Sequence, residues 1–217
     1  MSKTLLKASS DNRLDAIMEA LSLASDAANS QCDLPLKRMP RYFMAVHIAN
    51  HFAQRFRDVG YRIGASVLDT LANAGIDEDE IDCLSDTKCE LPGNRRFDLV
   101  LRMRRKGVSS HVIQFRKRAR SGSLFMNLLH LAEVSRSVGA ASEMNINYLV
   151  VTTRMSKEQL EAMLATEEAD HYAIYRRSRN RVNYPLKRYQ QISHWAKNDE
   201  KEKSRFMAVA VFEVSYR

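Results

Sequence analysis

Two strand-like segments joined by a tight turn restrict this chain more than any other feature. Arg96 to Arg102 is rich in residues that suit strands, Lys106-Gly107 supplies the turn, and His111 to Phe115 forms the return segment. Asp98 lies on the first strand among Phe97, Leu99, Val100 and Leu101. On the second, Gln114 and Arg116 are two residues apart, so their side chains leave the same face. An acid facing a polar-x-basic pair across a hairpin suits a metal ion and a phosphate.

The charge is concentrated in the same place. The chain carries a formal +8, and the stretch from Arg95 to Arg120 holds ten Lys or Arg against one acid. The other 24 basic and 25 acidic residues nearly cancel. Positive charge confined in this way points to a polyanion, with nucleic acid first. The plainer alternative is that long cationic side chains keep an edge hairpin solvated. A second basic cluster, Arg176, Arg177, Arg179, Arg181, Lys187 and Arg188, interleaves with Tyr172, Tyr175, Tyr184 and Tyr189. That pattern serves base stacking and backbone contact, or equally a set of core tyrosines with solvated arginines between them.

At 217 residues, 45% of them hydrophobic, the chain can bury a sizeable α/β core. No run of eighteen apolar residues is present, and the first residues lack the apolar centre of a signal peptide. The cysteines, Cys32, Cys83 and Cys89, are odd in number and not spaced as zinc ligands, so reduced thiols in a cytoplasmic setting are expected. Only seven glycines occur, and no Gly-rich phosphate loop or GxSxG elbow is among them.

In chain order, Asp11 is expected to cap a first helix, followed by a connector from Ala27 to Arg38. Pro40 suits the first turn of a long helix with Met44, Ile48, Phe52, Phe56 and Val59 on its apolar stripe, and Gly60 ends or kinks it. Val67 to Ala72 reads as a short helix and Cys83 to Leu91 as a strand leading to a turn at Pro92-Gly93-Asn94. After the hairpin, Ser121-Gly122-Ser123 offers an N-cap and Gly139 a C-cap for a helix with Leu124, Leu128, Leu131 and Val138 inward. The run NYLVVTT, Asn147 to Thr153, is apolar and β-branched throughout, as in a strand covered on both faces. Ser156 and Gln159 form a capping box. His171 to Tyr175 then reads as a strand, Pro185 to Ala196 as a helix, and Phe206 to Val214 as a last strand.

Three smaller features have bland readings. His47 and His51 are four apart on one helix face, a spacing that more often faces solvent or DNA than zinc. His130 and Glu133 read as an ordinary i, i+3 pair, and His111 as a surface histidine at the hairpin end.

This succession of helix, strand, hairpin, helix and strand, with RRFDLVL and HVIQFRKRA in the hairpin, resembles the PD-(D/E)XK nuclease superfamily over about half the chain. Asp98 matches the motif aspartate, and Gln114-Phe115-Arg116 falls on the (D/E)-x-K positions. The resemblance implies a mixed central sheet flanked by helices, with 1–39 as a helical N-terminal extension and 40–217 as the nuclease-like α/β domain. It implies a nucleic-acid-acting protein of a bacterial, phage or mobile-element setting, DNA more than RNA, working as a homodimer or within a larger complex. If active, the chain would be a magnesium-dependent endonuclease. Asp98, Glu90 and Gln114 would then hold the metal, and Arg116 the phosphate. Arg95, Arg96, Arg102, Arg104, Arg105, Lys106, Arg118, Arg120, Arg176 and Arg177 would contact nucleic acid.

The departures matter. Gln114 replaces an acid with a neutral oxygen ligand, and Arg116 replaces lysine with a guanidinium that binds phosphate but cannot accept a proton. Lys117 could stand in only through a bulge or register shift, because the next side chain faces the other side of the strand. The alternative is therefore a catalytically inactive nuclease-fold subunit that binds DNA, RNA or a protein partner.

Overall fold

A computed structural model describes residues 9–77, 79, 81, 96–120, 122–170, 182–192 and 207–216. The first helix, α1 (Ser10–Cys32), starts at Ser9, whose hydroxyl accepts from the Asn12 amide at 3.3 Å, rather than at Asp11. It also takes in the first half of the expected connector, as far as Cys32, because Ala24, Ser25 and Ala28 continue its buried face. Asp33, with φ 51°, ends it in the left-handed conformation. Pro40 caps α2 (Arg41–Arg55), whose Met44, Ile48 and Phe52 are buried with Phe56 as the stripe requires.

Beyond α2 the chain departs from expectation. Val59–Ser66 is a strand, β1, pairing antiparallel to β2 (Arg96–Met103). It occupies the sheet edge, with Tyr61 and Ile63 40% and 39% exposed. Val59, Tyr61, Ile63 and Ala65 alternate with Gly60, Arg62, Gly64 and Ser66, but Val59 also continues the α2 stripe and Gly60 reads as the end of that helix. α3 (Val67–Ala72) has the expected bounds. β2 then pairs antiparallel with β3 (Ser109–Arg116) through a turn in which Gly107 takes φ 69°, a region open to glycine at little cost.

From β3 the chain crosses over through α4 (Ser123–Val138) to β4 (Ile146–Thr153), which lies parallel to β3. Gly122 at the N-cap and Gly139 at the C-cap both have positive φ, so glycine geometry, not a serine side chain, frames α4. α5 (Lys157–Asp170) is opened by the expected capping box. The Ser156 amide donates to Gln159 Oε1 at 2.9 Å, and the Gln159 amide to Ser156 Oγ at 3.3 Å.

The last strands are β5 (Val182–Asn183), β6 (Leu186–Gln191) and β7 (Ala208–Tyr216). β6 stands where a helix was expected from Pro185, as far as the described residues run to Ile192; the rest of that span, to Ala196, lies outside them. The three-residue spacing of Tyr189 and Ile192 looked helical, but β7 offers an open edge and recruits this backbone, with a register shift between Leu186 and Arg188. The expected strands over Cys83 to Leu91 and His171 to Tyr175, the turn at Pro92-Gly93-Asn94, and Glu90, Arg95, Arg176 and Arg177 lie outside the described residues.

The sheet order is β1-β2-β3-β4-β7, and β5 and β6 share the far edge of β7. Among the described strands only the β3–β4 pair is parallel, so the fold is α/β with a mixed sheet flanked by helices. On one face Leu99, Leu101, Ile113, Phe115 and Val150 pack under α1 and α2. On the other Val100, Val112, Leu149, Val151 and Phe212 pack under α4 and α5. β4 contributes to both cores, as its uninterrupted apolar run required. Among the described residues, no helix is long and apolar enough to cross a membrane.

His111 is buried rather than at the surface. It follows the turn in sequence, but β4 and the helical turn Glu143–Asn145 before it cover it, and its Nδ1–H donates to the Ile146 carbonyl at 2.7 Å. Burial, and then the nearby Arg13, depress its pKa to about 3 against the opposing effect of that hydrogen bond. The unfolded histidine takes up a proton near its ordinary value while the folded one does not. Stability from this group is therefore full above about pH 6.5 and is lost as the pH falls toward 3. Thermal melts between pH 7 and 4 should show this loss, and His111→Gln should flatten the dependence.

Candidate phosphate-binding site

β2 and β3 part company at the open end of the hairpin. Their paired register runs from Arg102 and Ser109 to Leu99 and Ile113, after which Gln114 to Arg116 pair with β4 alone. Two side chains bridge the gap. Asp98 Oδ2 accepts from the Phe115 amide at 2.8 Å, and the Asp98 amide donates to Gln114 Oε1 at 3.2 Å. Each side chain thus takes a backbone N–H that the strand ladder leaves over.

The same opening admits one cation from a helix and one from β3. Arg41, in the first turn of α2, places Nη1 3.4 Å from Asp98 Oδ1. Arg116 leaves β3 on the same face as Gln114 and donates through Nη2 to Asn127 Oδ1 on α4, while Asn127 donates to the Ser123 carbonyl. Arg116 is close enough to Asp98 to lower its pKa. Burial dominates, however, and holds the Asp98 carboxyl above the ordinary aspartate range against the Phe115 hydrogen bond, Arg41 and Arg116.

Asp98, Gln114 and Arg116 therefore come together as the hairpin required. Lys117 does not join them; it turns away to the cavity that Arg118 and Arg120 also line. The other cations of the hairpin are elsewhere. Arg104, Arg105 and Lys106 sit at its closed end, six or more residues along the strand from Asp98, or about 20 Å. Asp58, with φ 58°, organises that end by accepting the Arg104 amide on its carbonyl and the Arg105 amide on its carboxylate. Arg102 is half-buried and donates to the Gly107 carbonyl, and Arg96 donates to the Gly64 carbonyl at 3.0 Å.

Other candidates have structural partners. His51 and Arg55 meet Glu19 of α1, and His47 packs on Phe43. Glu133 pairs with Arg136. Arg188 reaches Asp11 and Asp15 of α1, Tyr189 donates to the Met155 carbonyl at 2.7 Å, and Tyr184 packs edge-on against Phe125. In the described part of the second basic cluster, side chains thus join layers of the fold.

Sequence reasoning missed Arg41 and Asn127. Asn127 had a visible signal: a polar residue between Leu124 and Leu128 on the inward face of α4, 5% exposed. Arg41 had none, since its role depends on where α2 starts against the sheet.

Among the described residues, no group of three or more His, Cys, Asp or Glu could hold a metal ion. The oxygen donors here are one carboxylate and one amide, beside two guanidinium groups. That set suits a phosphate better than Mg2+, which favours several oxygen ligands and repels neighbouring cations. Comparisons with protein-family models, curated proteins and solved structures return no match.

Because the raised carboxyl pKa makes the ionised Asp98 a net cost to the fold, its contribution to stability rises as pH falls through the folded-state value. Asp98→Asn keeps an acceptor for the Phe115 amide. It should melt no lower than the parent protein at pH 7, with the difference shrinking as the pH is lowered, which thermal melts across pH will check.

Proposed function

We propose that this chain is a nucleic-acid-binding protein of nuclease-like architecture, gripping a sugar-phosphate backbone at the open end of the β2–β3 hairpin. The observation that carries this reading is the convergence there of Asp98 with Arg41 and Arg116. Asp98 acts as a positioning residue for the guanidinium groups, which bind phosphate through paired N–H donors. Support also comes from the α2-β1-α3-β2-β3-α4-β4 order of the described elements, with antiparallel, antiparallel and parallel pairing, which fits the resemblance to the PD-(D/E)XK superfamily.

A second reading, magnesium-dependent hydrolysis of DNA, is favoured by the cross-strand contact of Asp98 with Gln114. It requires a further carboxylate, for which Glu90 is the candidate.

The test is a salt titration of affinity for short duplex and single-stranded DNA and RNA. The parent protein should bind with a steep negative log–log slope. Arg41→Ala should weaken binding and reduce the magnitude of the duplex slope by about one phosphate contact, or ~0.9. Absence of binding to any of these at low salt overturns the proposal. Plasmid nicking in Mg2+ or Mn2+ decides the second reading: cleavage lost in Asp98→Ala supports it, and an intact plasmid with the folded parent protein retires it.

A further inference from the structure

A cavity of about 560 Å³ opens where β3 and β4 end, beside the linker between α1 and α2. Six cations line it: Lys37 and Arg38 from that linker, Lys117, Arg118 and Arg120 after β3, and Arg154 after β4. No Asp or Glu is among its described lining residues. Arg38, Arg118, Arg120 and Arg154 are exposed, so their head groups are free to turn toward a ligand. Six like charges around one concavity repel each other, and an anion offsets that repulsion.

The remaining wall is not ionic. Ala119, Met155 and Met207 supply apolar surface, and Thr152 and Thr153 complete the described lining. Thr153 Oγ1 accepts from the Met155 amide at 3.0 Å, which orients the hydroxyl and leaves its proton for another acceptor. A bare inorganic ion would use the cations and leave the methionines idle. A molecule with several phosphates and a flat apolar part uses both, and the volume lies in the range of small-molecule sites.

We propose that this cavity is a nucleotide-binding site, with phosphates on the Arg118, Arg120 and Arg154 side and the base or sugar against Met155 and Met207. The nucleotide is either a free nucleoside polyphosphate or the phosphorylated end of a strand, and the chemistry is shared. The site stands on its own lining and does not depend on the role of Asp98.

The test uses the full chain, a fluorescent ATP analogue without divalent metal, and fluorescent oligonucleotides with 5′-phosphate or 5′-hydroxyl ends. Arg118→Ala/Arg154→Ala changes two exposed side chains, and circular dichroism will check that it folds. It should weaken the preferred probe at least about tenfold, as expected for lost charge-assisted contacts, while Arg105→Ala/Lys106→Ala at the hairpin tip should not. Tighter binding of the ATP analogue assigns a free nucleotide. Preference for the 5′-phosphorylated oligonucleotide over its hydroxyl counterpart assigns a strand end. Failure of all probes to bind at low salt overturns the proposal, as does equal weakening by the two double variants. Oligonucleotide binding that survives Arg118→Ala/Arg154→Ala but falls in Arg41→Ala removes this site and leaves the Asp98 site intact. ATP-analogue binding without any oligonucleotide binding removes the nucleic-acid reading and leaves this one.

Discussion

Where β2 and β3 diverge, two backbone N–H groups lose their ladder partners, and the side chains of Asp98 and Gln114 take them. A buried donor left unsatisfied costs about 1–3 kcal/mol, so this exchange does much to make the opening tolerable. It also fixes what can occupy the opening. Asp98 is held by the Phe115 amide with its other oxygen presented outward, and Arg41 from α2 and Arg116 from β3, the latter tied to α4 through Asn127, gather around it. The site is thus a by-product of strand separation: a closed ladder would have left neither the space nor the need for an acid there.

The same hairpin distributes its charge in a way that a linear reading cannot show. Ten cations lie close together between Arg95 and Arg120. An antiparallel hairpin sends the middle of such a run to one end of the sheet and its flanks to the other. Arg104 to Lys106 become the tip, organised by Asp58, while Arg116 to Arg120 reach the end where β4 also finishes. Lys37, Arg38 and Arg154, distant in the chain, then join the second group. Local charge density in sequence therefore overstates one patch and misses the composition of another.

Elements with a strong periodic signature were legible. The α2 stripe, the short helix Val67–Ala72, the hairpin and the doubly covered Ile146–Thr153 strand all carry their burial in their pattern. β6 was not, because an edge strand is held by backbone pairing and its side chains need not alternate, and β1 was not, because Val59 continues the α2 stripe and two glycines interrupt its alternation. His111 was misplaced for a related reason: nearness to a turn in sequence says little about what other strands lay over it. Of the site, the alignment of Asp98, Gln114 and Arg116 followed from strand periodicity alone. Arg41 depended on tertiary placement, and Lys117 was excluded from the cluster by the same parity argument that had cast doubt on it.

Finally, α1 is joined to strands that come far later in the chain. Ser10 donates to Glu213, 203 residues away, Arg13 Nε donates to Tyr148 Oη at 2.8 Å, and Arg188 meets Asp11 and Asp15. α1 precedes β7 by most of the described elements, so its contacts to that strand form only after the chain between them has been made. Until those strands have emerged from a ribosome, the apolar side of α1 lacks the sheet that covers it, the kind of surface on which chaperones act.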